Sequence, residues 1–457
     1  MVGKFSDILE RFITESPVCV MVRATMERIL SPQWLDALFA RSARTQYTRT
    51  LLFSTLFDLM AHVVLRVRPS MHAAYQAAGT IEVSTTAVYD KLNHLEPGVC
   101  AALVRESAQE VVALIDAIGG RRAPWLAGYR VQVIDGNCLA ATEHRLAALR
   151  PLAAGALPGK TLVIYDPAVD AVVDVFPCTD GHAQERSLFA EIVKRLHPND
   201  VSISDRNFCT SGFLRAHADA GAFVIIRHHA NLPLHERGPL QACGRSDTGK
   251  VFEQLVEVGL KGGGTLLLRR ITVRLKTPAR DGDTDLHILT TLPRAVADAG
   301  LIAQLYRRRW TIETAFQRLE RDLHSELNTL GYPQAALFGF CVALVAFNLM
   351  ALVSAALRAV HGAQIIDEEF SGYYLANDLQ TVPAGMEIAV PAAEWRRFAD
   401  MSRATFARFL LQLAQTVNLA RYRKHRRGPK KPRPPRSYDP AHPHVSTARL
   451  LLTRNKK

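Results

Sequence analysis

Paired cysteines are the first thing this chain lacks. Its seven, Cys19, Cys100, Cys138, Cys178, Cys209, Cys243 and Cys341, are scattered, odd in number and nowhere spaced as C-x-x-C. That spacing excludes a zinc knuckle and a disulfide framework and predicts a reducing compartment. The opening stretch MVGKFSDILERF interleaves charges with apolar residues and holds no uninterrupted apolar run, which predicts no secretory signal peptide. Neither Trp nor Tyr occurs between Asp205 and Tyr306. Acid is almost absent from the last stretch: between Arg421 and Lys457 thirteen Lys or Arg face Asp439 alone, so most of the formal charge of +13 is gathered there. The prolines of RYRKHRRGPKKPRPPRSYDPAHPH prevent helix and sheet and leave a cationic ribbon. Two readings of such a ribbon stay open, a polyanion partner, most commonly nucleic acid, or a solubilising tail.

What the chain has in quantity is apolar residue, 48% of its 457 positions, enough for one large core or two to three smaller ones in a globular protein. The run AALFGFCVALVAFNLMALVSAAL, from Ala335 to Leu357, is long enough to cross a bilayer. Asn348, Ser354 and the many small residues within it suit a helix buried on all sides equally well, and that is the expectation.

Residues 1–128 read as helical, with apolar positions at helical spacing in SPQWLDALFARSA and RTLLFSTLFDLMAHVVL. Near their end Ser84 is a candidate N-cap for a short helix projecting Thr86, Tyr89, Asp90 and Lys91, as compatible with a DNA-reading second helix as with any small capped helix. From Tyr129 short β-branched runs take over: YRVQVID, KTLVIYDP and AVVDVFP, then a helical pattern, VSISD, another helix and AFVIIR. That order predicts an α/β core with a mixed sheet over 129–228. Residues 229–291 are polar and Gly-rich, with strands GKVFEQLVEV, TLLLRRITVRL and DLHILTTL, a β-rich insertion. The core resumes over 292–360, beginning with one long helix from Asp298 to Leu323. A helical region, 361–420, and the basic tail, 421–457, follow.

Two strands end in aspartate, VQVID at Asp135 and VSISD at Asp205. Each alone is most simply a turn or helix cap. On adjacent strands they would place two carboxylates at one end of the sheet, the oxygen chemistry that hard divalent cations favour. A third carboxylate stands in YRRRWTIETAF, where Tyr306, Arg309, Glu313 and Glu320 share one stripe of a helix at about 3.6 residues per turn. Glu313 can then face the aspartates while Tyr306 and Arg309 address phosphate. The plainer reading is an amphipathic helix with a solvated basic face and Trp310 and Phe316 in the core.

The blocks VIDGN, SDRNF and YRRRWTIETAF, in that order and with a β insertion between the second and third, resemble the DDE transposases of bacterial insertion sequences, specifically the insertion-sequence-four family. The resemblance runs from Tyr129 to Leu357, and the closing HVSTARLL also looks like that family. It implies an RNase H-like catalytic core with a β-strand insertion, preceded by an all-helical N-terminal domain that reads DNA ends, and followed by helices and a basic tail. It implies Asp135, Asp205 and Glu313 as catalytic metal ligands for two Mg2+ or Mn2+ ions, and Tyr306 and Arg309 as contacts to DNA phosphates. Lys160, Arg423, Lys424, Arg426, Arg427, Lys430 and Lys431 are further candidate DNA contacts. The implied activity is cleavage and strand transfer at the terminal inverted repeats of a mobile element, with target DNA and a second copy of the chain as partners, in the bacterial cytoplasm at the nucleoid and without a membrane. The signature's usual lysine, seven residues beyond the glutamate, is replaced here by Glu320, with Arg318 and Arg321 nearby. That departure keeps open a DNA-binding relative without catalysis.

Three other signals are set aside. GALPGKT is one residue short of a phosphate-binding P-loop and leads into a strand rather than a helix. His228, His229, His235 and Cys243 match no zinc spacing. Asp166 and Asp170 read as turn residues between two strands.

Overall fold

The computed structural model describes residues 5–139, 142, 146–151, 155–260, 262–279, 282–425 and 445–454. Helices come first: α1 (Asp7–Glu15), α2 (Pro17–Ile29), α3 (Pro32–Ser42), α4 (Phe53–Val64), α5 (Met71–Ala78), α6 (Thr85–Asn93) and α7 (Pro97–Ala117). Ser6, Ser31, Ser70 and Ser84 cap four of them by accepting a backbone N–H of the first turn, and prolines open α2, α3 and α7. On α6, Lys91 turns inward instead of projecting. Its ammonium donates to the Leu51 carbonyl and lies 4.8 Å from the centre of the Phe39 ring.

The strands are β1 (Arg130–Cys138), β2 (Ala156–Leu157), β3 (Lys160–Asp166), β4 (Ala171–Cys178), β5 (Asp200–Ser204), β6 (Phe223–Arg227), β7 (His235–Glu236), β8 (Gln241–Arg245), β9 (Gly249–Gly259), β10 (Thr265–Leu275) and β11 (Asp285–Thr290). Two helices interrupt them, α8 (Phe189–Val193) and α9 (Ser211–Asp219). One large sheet runs in the order β4-β3-β1-β5-β6-β11-β10-β9-β7, with β8 also on β9. β1 is antiparallel to β3 and parallel to β5, and β5 is parallel to β6. The insertion strands therefore extend the core sheet through the antiparallel β6–β11 pair.

After the sheet come α10 (Ala299–Arg307), α11 (Trp310–Asp322), α12 (Pro333–His361), α13 (Ala363–Glu369), α14 (Gly372–Ala389), α15 (Ala392–Ala399) and α16 (Arg403–Thr416); β12 (Val445–Ser446), which pairs with β2, and α17 (Thr447–Arg454) close the described chain. Alternation along the strands separates two faces. Val131, Val133, Val201 and Ile203 join the helices in the larger core, while Ile134, Val224 and Ile226 pack with α8 and α9 on the other side.

α12 is the spine of the larger core. Every residue from Ala335 to Arg358 is buried, and its neighbours include α2, α4, α7, α16 and β4. Because α7 lies on both β4 and α12, removing residues 1–128 would strip apolar surface from the core itself.

Asn348, the polar exception in the apolar run, clamps a strand irregularity. The β3–β4 pairing passes from Ile164 with Asp174 to Tyr165 with Val172, skipping Val173. There the Asn348 carboxamide accepts from the Val172 N–H at 2.9 Å and donates to its carbonyl at 2.7 Å. Asn348→Leu keeps the bulk and orphans both groups, at a cost of about 1–3 kcal/mol for each. A urea-unfolding midpoint lowered accordingly is the expected result, and an unchanged midpoint would contradict this role.

α4 is also tied to α14. His62 places Nε2 3.3 Å from a Glu387 carboxylate oxygen and stands 3.6 Å from Asp58. The bond to Glu387, more than any other influence, raises its pKa to about 9 against burial, which opposes the charge. Since the folded value lies above the unfolded one, this contribution is fully present below about pH 6.5 and lost as pH rises through about 9. His62→Ala should therefore destabilise the protein at pH 6.5, and the difference from wild type should shrink by pH 9.5 in urea titrations.

Candidate active site

Register brings the two aspartates together. The parallel pairing of β1 and β5 ends at Ile134 opposite Ser204, so Asp135 and Asp205 are the next residues on neighbouring strands. Both follow the alternation of Val133 and Ile203, which points them to the face of the larger core. The expected strand end holds for Asp205 but not for Asp135. β1 continues to Cys138 because β3 goes on pairing with it, Asp135 opposite Val163 and Gly136 opposite Leu162. Asp205 precedes a short 3₁₀ turn without capping it through its side chain, leaving the carboxylate to the site.

Gly136 lies within the strand, not in a turn. A Cβ there would collide with the carboxylate of Glu185, a residue that sequence reasoning missed. Glu185 is also 3.4 Å from the Asn207 carboxamide nitrogen and adds to the negative field at Asp135.

The third block is two helices rather than one. α10 ends at Arg307 and α11 starts at Trp310, with a tight turn closed by the Arg309 N–H to the Tyr306 carbonyl at 3.0 Å. The break is slight, since Arg308 and Arg309 keep helical backbone angles and Arg309 still pairs with Glu313 one turn on. Its guanidinium donates to Asp135 at 2.7 Å and to Glu313 at 3.3 Å, with the Arg309 side chain only 9% exposed. Tyr306 is buried as well, at 5%, instead of presenting itself to solvent. Burial pushes its pKa up to about 12. Trp310, expected in the core, is 58% exposed.

Electrostatics tie these groups into one site. Burial lifts the Asp135 carboxyl to about pH 6, with Asp205 and Glu185 adding to the rise while Arg309 and the Gly136 N–H oppose it. The Arg309 pKa is raised by Asp135, Tyr306, Asp205 and Glu313 against a desolvation that lowers it. A buried carboxylate whose neighbours resist its charge is a place where added positive charge is stabilising.

Three carboxylates are a donor set of the kind hard divalent cations take. In the observed arrangement, however, Arg309 stands between Asp135 and Glu313, and among the described residues no three His, Cys, Asp or Glu side chains are spaced to hold a metal ion. The chemistry of the donors fits a cation; the spacing requires Arg309 to release at least one carboxylate first.

The remaining expected contacts lie elsewhere. Lys160 donates to the Ala183 carbonyl at 2.8 Å. Arg423 pairs with Glu369 at 3.0 Å, and Lys424 donates to the carbonyls of Asp367 and Glu368. Arg426, Arg427, Lys430 and Lys431 lie outside the described residues. Arg318 and Arg321 do not replace the missing lysine at the carboxylates, since they pair with Asp170 and Asp322. Asp166 accepts from the Ala168 N–H as a turn residue should. Asp170 also occupies the turn, with φ +57°, yet it is a buried ion-pair centre for Arg122 and Arg318.

Comparison with known proteins finds similarity to transposases. Residues 127–349 match the family model described as a transposase DDE domain. A protein of Sinorhizobium fredii (strain NBRC 101917 / NGR234) named "Putative transposase y4zB" is 28% identical over 202 residues, 43% of this chain and 53% of that one. The chain thus spans about half the length of this curated relative. A cryo-EM structure of the piggyBac transposase synaptic complex with hairpin DNA superposes with a TM-score of 0.40 and 10% identity, over 88% of this chain and 86% of that chain. The insertion-sequence family is not specified by these matches.

Proposed function

We propose that this chain is a transposase whose Asp135, Asp205 and Glu313 hold Mg2+ or Mn2+ and cut and rejoin DNA at the ends of an insertion sequence. The observation that carries the reading is Arg309 bridging Asp135 and Glu313, with Asp205 following the strand beside Asp135, inside the segment matching a transposase DDE domain. An RNase H-like core fits the strand order β4-β3-β1-β5-β6, in which only the first two pairings are antiparallel.

Divalent ions held by Asp135, Asp205 and Glu313 would supply activation of the attacking oxygen and stabilisation of the leaving one. The chain's own residues do the rest. Asp135 and Asp205 offer oxygens from a rigid sheet, and Glu313 offers a third from α11. Arg309, once released from the carboxylates, presents a fork of N–H donors that matches a phosphate bidentately. The helical N-terminal region and the basic tail would add contacts to the terminal inverted repeats, the tail through salt-dependent backbone affinity. Two DNA ends call for a second copy of the chain, and the bacterial nucleoid is where both would meet.

One observation favours the rival reading of a DNA-binding protein without catalysis, namely that Arg309 already stands between Asp135 and Glu313. Incubating the full chain with a duplex carrying the gene's own flanking sequences, in Mg2+ and in EDTA, separates the two. Mg2+-dependent nicks leaving 3′-OH at the element end are expected. Tight end binding with no nick in Mg2+ or Mn2+ would instead select the rival.

A further inference from the structure

We propose that the cleft along the far side of α11 binds an unpaired nucleotide of a nucleic-acid strand, with its phosphate among arginines and its base against Tyr373. The inference rests on the reading that this chain handles DNA, but not on catalysis. Thr314, Arg318 and Arg321 fall within about 60° of one another on α11, a stripe roughly 100° around the helix from Glu313 at 3.6 residues per turn. They form one wall of a cavity of about 620 Å³. That volume lies within the roughly 300–1,000 Å³ of sites for small ligands.

Positive charge dominates the lining. Arg122, Arg358 and Lys424 face it with the two α11 arginines, against the carboxylates of Asp170 and Asp367. Even with Asp322, which pairs with Arg321, cations exceed carboxylates by two. The acids act as braces. Asp170 holds Arg122 at 3.0 Å and Arg318 at 3.2 Å, and Asp367 holds Arg358 at 3.0 Å. A guanidinium has five N–H donors, so a braced arginine still has donors for a phosphate and loses little freedom on binding one.

The other half of the ligand is specified by aromatic rings. Tyr373, 48% exposed, meets Tyr374 edge-on at 5.6 Å between ring centres, and Tyr374 meets His425 edge-on at 5.9 Å. Tyr373 thus packs on a neighbouring ring while about half of it stays exposed at the cleft. A stacking ring beside fixed guanidinium groups is the combination by which proteins hold unpaired bases of any sequence. His425 lines the same cleft.

The test uses the full chain in EDTA, so that cleavage plays no part. Binding of a fluorescein-labelled single-stranded oligodeoxynucleotide and of its duplex is followed by anisotropy for wild type, Tyr373→Ala and Lys424→Gln. Base stacking of this kind predicts a loss of about fivefold or more for Tyr373→Ala on the single strand, with the duplex unchanged. Lys424→Gln should flatten the single-strand salt dependence by about 0.7 in log–log slope. Ultraviolet crosslinking of a 5-bromodeoxyuridine strand should map to Tyr373 or Tyr374. Equal losses on both DNAs, no loss on either, or crosslinks confined to other regions would overturn the assignment. Competition by deoxyadenosine monophosphate as effective as that of the strand would also overturn it, in favour of a free nucleotide. Failure to nick DNA with intact Tyr373-dependent strand binding would refute the catalytic reading and leave the cleft standing.

Discussion

Asp135→Asn and Glu313→Gln should each reduce Mg2+-dependent strand cleavage by more than about a hundredfold, since loss of even an outer-shell partner of a metal commonly costs about 10- to 100-fold. Neither change alters side-chain size, and both keep an acceptor for Arg309, so binding to the DNA ends and the thermal unfolding midpoint should stay close to wild type. The two variants approach the centre from different elements, the β1 strand and the α11 helix. A full-rate variant in either position would remove that residue from the centre. Loss of folding in both would show instead that the carboxylates serve Arg309 structurally.

Arg309→Ala should act on stability as well as on cleavage. Arg309 is the cation that offsets Asp135 and Glu313, at 2.7 and 3.3 Å, in a partly buried site. Removing one partner of a buried pair leaves an uncompensated charge, at a cost of about 3–5 kcal/mol for a fully buried case. Glu313 is 35% exposed, so solvent screens part of this and the expected cost lies at or below the lower end. Denaturant titration reads it directly. Arg309→Lys tests geometry separately, because it restores charge without the planar fork that spans two carboxylates. It should recover much of the stability and little of the cleavage. Recovery of both would mean that charge alone matters at this position.

Much of the site was legible in the sequence for a simple reason. An aspartate that ends a run of β-branched residues marks a strand end, and at VSISD the strand does end at Ser204, one residue before Asp205. VQVID was read as the same signal, but β1 continues to Cys138 because β3 pairs beyond it, a partner no local pattern reveals. Glu313 was found through its block and its helical spacing, though the spacing argument assumed an unbroken helix. No Gly or Pro marks the break between Arg307 and Trp310. The interruption is small, with Arg308 and Arg309 both at helical backbone angles.

Glu185 was invisible for the opposite reason. It lies in a 3₁₀ turn after β4, and only the close approach of the Gly136 backbone gives it a place beside Asp135. Asn348 stood out as a polar residue in an apolar run, but its role depends on a register shift between β3 and β4, which alternation alone does not encode. Lys91 shows the limit of reading a helix by its projecting residues, since its charge is turned back to the Leu51 carbonyl.

The central claim is that three carboxylates from β1, the end of β5 and α11 become one metal centre once Arg309 moves. Crystals of the full chain with a DNA end, soaked in Mn2+ and measured for anomalous scattering, test it most directly. The account predicts peaks bounded by Asp135, Asp205 and Glu313, with the Arg309 guanidinium displaced toward a phosphate. Full occupancy of the DNA end with no anomalous peak there, and Arg309 still bridging Asp135 and Glu313, would contradict it.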